Sequence, residues 1–193
     1  MFKSIFPRNF VKLIALCFFC FVAVNVSAQD KTKAIGNKPR TGSSNTSFDA
    51  VKGRQVGIEM SAGKKQVQLL RLNFHTQNRS NDSIPFKVNV YQMAGKFPNE
   101  ANLVKDEIKG YIKKYDNQET HQLTTVDLSP YNIKVAGDIV VSIEFLTTKP
   151  GSNIGFACGL FNGGTFHKDT EAEPWKKIPV VGVDFNVLVK KLK

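Results

Sequence analysis

Residues 84–108, IPFKVNVYQMAGKFPNEANLVKDEI, and residues 124–146, TTVDLSPYNIKVAGDIVVSIEFL, decide the fold. In the first, Phe86, Val88 and Val90 alternate with Lys87, Asn89 and Tyr91. Successive side chains of an extended chain point to opposite sides, so this pattern gives one apolar and one polar face. In the second, Ile139, Val141, Ile143 and Phe145 make a matching row between Gly137-Asp138 and Lys149-Pro150-Gly151. Those flanking residues favour turns and break strand ladders. Two half-buried strands of this kind predict the middle of an antiparallel β-sandwich.

Upstream, Val56, Ile58 and Met60 alternate with Gly57 and Glu59, Gly63-Lys64-Lys65 reads as a turn, and Leu70, Leu72 and Phe74 oppose Arg71, Asn73 and His75. This predicts a hairpin-like pair of strands. Downstream, Ile154, Phe156, Cys158 and Leu160 share a face, Asn162-Gly163-Gly164 marks a turn, and Thr165–Lys168 fits a short strand. In the last strand Val183, Phe185, Val187 and Val189 face away from Asp184, Asn186 and Lys190. About eight or nine short strands separated by turn signals imply an all-β, jelly-roll-like sandwich. Between Gly95 and Tyr115 the periodicity is nearly helical, through Leu103, Val104, Ile108, Tyr111 and Ile112, but Gly110 interrupts it.

The N-terminus has a different design. Lys3, Arg8 and Lys12 precede the apolar run LIALCFFCFVAV, and Val26-Ser27-Ala28 follows, the three-part pattern of a secretory signal peptide with cleavage expected between Ala28 and Gln29. The apolar run is shorter than the ~20 residues a membrane-spanning helix needs. Leu16 before Cys17 and Phe19 before Cys20 do not give the small residue that precedes a lipidated cysteine. Export would leave Cys158 as the one thiol and no internal disulfide. Residues 29–47 are polar and basic, so they are expected to form a flexible basic linker, with the sandwich over 48–193. The whole chain carries 27 lysines and arginines against 16 acids, and the excess lies before residue 80.

Phe86 to Leu146 also carries an ordered set of features: Val90-Tyr91, Gly95-Lys96-x-Pro98, Leu103, then Val126-Asp127-Leu128-Ser129-x-Tyr131-Asn132-Ile133, Gly137-Asp138 and Ile143-Glu144-Phe145. The set resembles the β-sandwich region of secreted and outer-membrane-associated Bacteroidota proteins, often found beside carboxypeptidase-regulatory-like domains. Asn99 stands where that pattern usually has a second glycine, and Thr124 or Thr125 where it has a tryptophan. The resemblance implies a jelly-roll-like sandwich at the cell envelope and no particular reaction. It also decides the segment of mixed periodicity, where it implies a loop through Pro98 and then a strand from Ile108 to Tyr115.

Chemistry-bearing residues are sparse. His75, His121 and His167 are not in metal-binding pairs, no Gly-rich phosphate loop occurs, and no run of alternating acids around Asp127 supplies the six to eight oxygens calcium takes. No cofactor or metal is expected. Basic stretches lack the interleaved aromatics of a nucleic-acid surface, and an exported chain does not meet nucleic acid. Tyr91, Tyr115, Tyr131 and Trp175, with Tyr111, are candidate binding residues, because an aromatic face stacks on the apolar face of a sugar or peptide. The function expected is a non-enzymatic binding module of the envelope, with a glycan, an anionic envelope component or an envelope protein as partner. The alternatives are a hydrolase using Cys158 with His121 or His167, and a structural protein that adds a strand at a sheet edge.

Overall fold

The computed structural model describes residues 31–40, 44–115 and 120–192. The expected signal peptide, its Ala28/Gln29 cleavage point and the turn at 116–119 lie outside them. The strands are β1 (Thr32–Gly36), β2 (Asn45–Asp49), β3 (Gln55–Asn78), β4 (Ile84–Ala94), β5 (Phe97–Asn102), β6 (Ile108–Ile112) and β7 (Gln122–Asp127). After a 3-10 turn (Ser129–Tyr131) come β8 (Lys134–Phe145), β9 (Asn153–Leu160), β10 (Thr165–Lys168), β11 (Lys176–Ile178), β12 (Val181–Val183) and β13 (Asn186–Lys191). The fold is all-β, as expected, and every strand pair is antiparallel.

The organising element is β3, 24 residues long. The expected hairpin is one strand, because Gly63 stays paired with Gly137 and Val67 with Val135 across a bulge in which residues 64–66 oppose Ala136. A bulge inserts unpaired residues and bends a strand without ending it. β8 pairs with β3 on both sides of the bulge; opposite it before the bulge is β10, and beyond the bulge β7 continues the β8 edge while β13 and β9 take the other. β8 and β7 therefore follow one edge of β3, and β10, β13 and β9 the other. Phe74, beyond the bulge, packs on Phe86 of β4 at 5.7 Å and on Phe185 at 4.6 Å between ring centroids, although β3 and β4 are not paired. The apolar rows thus meet face to face, and Phe74, Phe86, Phe145, Phe156 and Phe185 are fully buried.

Two corrections follow from pairing. Residues 29–47 are not a free linker where they are described, because β1 runs along β13 and β2 along β9. Each buries a single apolar anchor, Ile35 and Phe48, since an edge strand is held largely by its backbone and shows little hydrophobic pattern. The strands also exceed eight or nine, because β1, β2, β11 and β12 are too short or too polar to alternate visibly. In the segment of mixed periodicity, β6 covers the first half of the expected Ile108–Tyr115 strand, and β5 replaces part of the expected loop.

The polar face of β4 and β8 is closed too. Asn89, Tyr91, Ser142 and Glu144 are all buried. A second apolar cluster of Tyr91, Val140, Phe166 and Trp175 lies over them, brought by β10 and the segment that follows it.

Candidate functional site

Two concavities lie where the β5–β6 connection meets the 3-10 turn. Asp127 ends β7 by accepting hydrogen bonds from the Ser129 N–H at 3.0 Å and from the Ser129 hydroxyl. Those bonds hold its carboxyl below the usual range. Pro130 starts the 3-10 turn, and Asn132, in the left-handed region at φ 48°, reverses the chain into β8. Asparagine tolerates that conformation far better than most residues. Opposite, Asn102 fixes the β5–β6 connection: its Oδ1 accepts from the N–H groups of Val90 (3.1 Å) and Val104 (3.0 Å), and its Nδ2 donates to Asn89 Oδ1 (2.9 Å).

Between these two supports is a cavity of about 310 Å³ lined by Leu103, Lys105, Asp106, Tyr131, Asn132 and Lys134 among others. A second, of about 250 Å³, lies on the other side of the same Val104–Asp106 finger and reaches Lys87, Asn89 and Asn102. The first joins a half-buried phenol ring and an exposed leucine to a carboxylate, an amide and two ammonium groups. That mixture suits a ligand with an apolar face and a rim of hydroxyls.

Of the expected aromatics, the structure places only Tyr131 at this cavity. Tyr91 and Trp175 are brought together, but edge to face at 5.4 Å and both buried, so neither offers a flat face to a ligand. Burial pushes the Tyr91 hydroxyl up to about 12, although its hydrogen bond to Gln55 acts the other way. Lys168 covers the Trp175 ring at 5.5 Å and pairs with Glu100 at 2.9 Å. Tyr115 is half buried beyond the end of β6 and does not line this cavity, and burial raises its hydroxyl as well. Tyr111 is exposed on β6.

Burial, and then the charge of Asp184, push the Cys158 thiol up, away from the thiolate a nucleophile needs. His167 packs against Phe48 and approaches Asp169 at 3.8 Å, and burial lowers both His167 and His121. Sequence reasoning missed the pairing of His75 with Asp184, whose fully buried carboxylate accepts from His75 N–H (2.9 Å), His75 Nδ1 (2.7 Å) and Arg40 N–H (3.0 Å). The signal available was a lone acid in the apolar run VVGVDFNVLV, since a buried charge is kept only with partners. No group of three or more metal-ligating side chains occurs among the described residues.

No protein-family model matches this chain, and no curated protein matches it. Among solved structures it is similar to the cysteine protease and lectin-like domains of Cwp84, a surface layer associated protein of Clostridium difficile, with a TM-score of 0.53, 9% identity and 78% of this chain covered. A clostridial Cwp84 structure after propeptide cleavage gives the same TM-score, identity and coverage of this chain. The chain spans 37% and 41% of the length of those two proteins. At such identity the likeness is one of fold. A family two carbohydrate esterase from Cellvibrio japonicus aligns at a TM-score of only 0.28. No helix among the described residues is long and apolar enough to cross a membrane.

Proposed function

We propose that this chain is a non-enzymatic carbohydrate-binding module of the exported cell envelope, and that it holds its glycan in the cavity beside Tyr131. The observation that carries this reading is the pairing, in one concavity, of the Tyr131 ring and Leu103 with Asp106, Lys105 and Asn132. Sugars present C–H faces that stack on aromatic and aliphatic surface, and hydroxyls that need donors and acceptors around them. The fold likeness to a surface layer associated protein with cysteine protease and lectin-like domains, of which this chain spans 37%, is compatible with it, and the signal-peptide pattern ahead of the fold supports it.

A glycan array followed by calorimetry on the best ligand tests the proposal. Tyr131→Ala and Asp106→Ala are expected to weaken binding by about ten-fold or more each, the equivalent of roughly 1.4 kcal/mol; exposed Asp106→Ala should leave the melting temperature unchanged, whereas Tyr131, half buried against the core, should lower it somewhat when truncated. An array without hits, or hits that both variants bind as well as the parent chain, would refute it.

A further inference from the structure

The β9–β10 turn breaks the rule the rest of the chain keeps. Positive φ angles fall on eight glycines and, among the other described residues, only on Asn132 and Phe161. Phe161, at φ 57°, is a bulky residue in a conformation that its Cβ opposes. Packing does not compensate for the strain, since the side chain is 85% exposed. The geometry is nevertheless fixed: the Phe161 N–H donates to Val180 O at 2.7 Å, and Asn162 O accepts from Asn37 Nδ2 at 3.1 Å. Gly182 backs onto the same carbonyl so closely that a Cβ there would lie 2.1 Å from Asn162 O. A strained residue held by its surroundings and rewarded by nothing inside the fold points to a reward outside it.

Beside Phe161 stand Leu160, 66% exposed, and Val180, 42% exposed. The segment Gly36–Arg40, tied to this tip through Asn37, brings exposed Lys38 and Arg40, and the Arg40 guanidinium lies over Gly159. Residues 36–40, 158–165 and 178–183 contain these two cations and not one Asp or Glu. The neighbouring lysines are already engaged, Lys176 with Asp169 and Glu173, and Lys177 with Glu59. The tip is thus three protruding apolar side chains flanked by two cations, and the nearest acid, Asp184, which accepts from the Arg40 N–H, is fully buried and paired with His75, so no exposed acid of these segments opposes an anionic surface.

We infer that this tip docks on an anionic lipid surface, with Phe161, Leu160 and Val180 entering the headgroup boundary while Lys38 and Arg40 meet lipid phosphates. Apolar side chains entering the interface and cations held above it add in such binding. The tip is built on β9 and β12, along the edge of β3 opposite β7 and the Tyr131 cavity, so the inference stands independently of the proposed glycan site.

The test is flotation of the full chain with phosphatidylcholine vesicles, with and without phosphatidylglycerol, all variants side by side so that any contribution of the N-terminal apolar run is common to them. Phe161→Gly is suited to the purpose because glycine accepts the left-handed conformation, so the variant folds at least as well. It should partition about ten-fold less to the anionic vesicles, as expected for losing one buried aromatic ring. Lys38→Glu with Arg40→Glu should lower partition by roughly five-fold or more per site, and added salt should have less effect on this variant. In Phe161→Trp, the new indole should shift its emission to the blue on binding and be quenched by brominated lipids. Equal partition of the parent chain and Phe161→Gly would overturn the inference, as would no partition at all. Binding to dextran sulfate that ignores Phe161 would overturn it in favour of an anionic polymer. A dimer lost in Phe161→Gly, without vesicle binding, would overturn it in favour of a second copy.

Discussion

Gln55 is the residue whose replacement most directly tests the closed polar face of β4 and β8. Its Oε1 accepts from Asn89 Nδ2 (3.2 Å), Tyr91 Oη (3.1 Å) and Ser142 Oγ (3.0 Å), and the residue is 2% exposed. Gln55→Met keeps the length of the side chain and removes the acceptor. Asn89 keeps one of its two amide bonds, to Glu144 Oε2 at 2.9 Å, so its other N–H joins the Tyr91 and Ser142 hydroxyls as donors left without a partner. At about 1–3 kcal/mol for each buried polar group left unsatisfied, with the hydroxyls partly free to turn, the expected loss is about 2–4 kcal/mol. That is a large share of the roughly 5–15 kcal/mol that stabilises a typical domain. It should lower the melting temperature by about 5–15 °C in a chain of this size.

Urea unfolding of Gln55→Met, Tyr91→Phe and the double variant separates the network from mere size. Once Gln55 is gone, deleting the Tyr91 hydroxyl removes an orphan instead of a bond, so Tyr91→Phe should cost about 1 kcal/mol less in the Gln55→Met background than alone. A Gln55→Met loss below about 0.5 kcal/mol, the range of ordinary surface substitutions, would refute the reasoning. So would a Tyr91→Phe cost that is the same in both backgrounds.

Tyr91 also makes stability depend on alkaline pH. Its folded-state value of about 12 lies above the ordinary tyrosine value of about 10, so its contribution is complete below about pH 10 and is lost between there and pH 12, as the unfolded chain ionises first. The loss is up to roughly 2–3 kcal/mol. Urea melts of the parent chain and Tyr91→Phe across that window check it, and parallel curves would contradict it. Gly110→Ala should cost about 1–3 kcal/mol by overpacking, because its Cβ would lie 2.4 Å from the Phe86 ring; thermal melts decide, and an unchanged melting temperature would show that the ring moves aside. Cys158, buried and with its thiol raised, should react with a maleimide far more slowly at neutral pH in the folded protein than in urea. Equal rates would revive the thiol as a nucleophile.

How far the sequence could be read depended on which interaction held each strand. Where one face meets the core and burial is the cause, as in Phe86-Val88-Val90 or Ile139-Val141-Ile143, alternation located the strand and its inward side. Where backbone pairing is the cause, as in β1 and β2, composition suggested a linker, because one anchoring Ile35 or Phe48 is all the apolar surface such a strand shows. Gly63-Lys64-Lys65 has the residues of a turn, but whether they reverse the chain or only bulge it is set by β8, which remains paired on both sides. Gly110 looked like a helix breaker; its role is to leave room for the ring of Phe86, its cross-strand partner. The aromatic candidates show the same division. Tyr131 could be found because it sits in a turn after a proline, whereas the fate of Tyr91 and Trp175 depended on a cover some 80 residues further along the chain.

That cover explains where recognition can take place. A sandwich usually leaves the outer face of each sheet to solvent, and a ligand can lie across it. Here the outer face of β4 and β8 is filled by Phe166 and Trp175 above a satisfied network of Gln55, Asn89, Ser142 and Glu144, and opening it would expose a cluster that is stable only when dry. That face of β4 and β8 is therefore committed to stability, and the two sites considered for recognition lie instead in the turns at the two edges of β3. On one edge a cavity holds a ring and polar groups behind a finger pinned by Asn102; on the other a strained phenylalanine projects from a tip without exposed acids. Because the two sites share no strand connection and lie on opposite edges, a chain resting on lipid through Phe161 would keep the Tyr131 cavity free for its glycan. Binding of the two ligands should then be additive, and vesicles that blocked glycan binding would show that the sites compete.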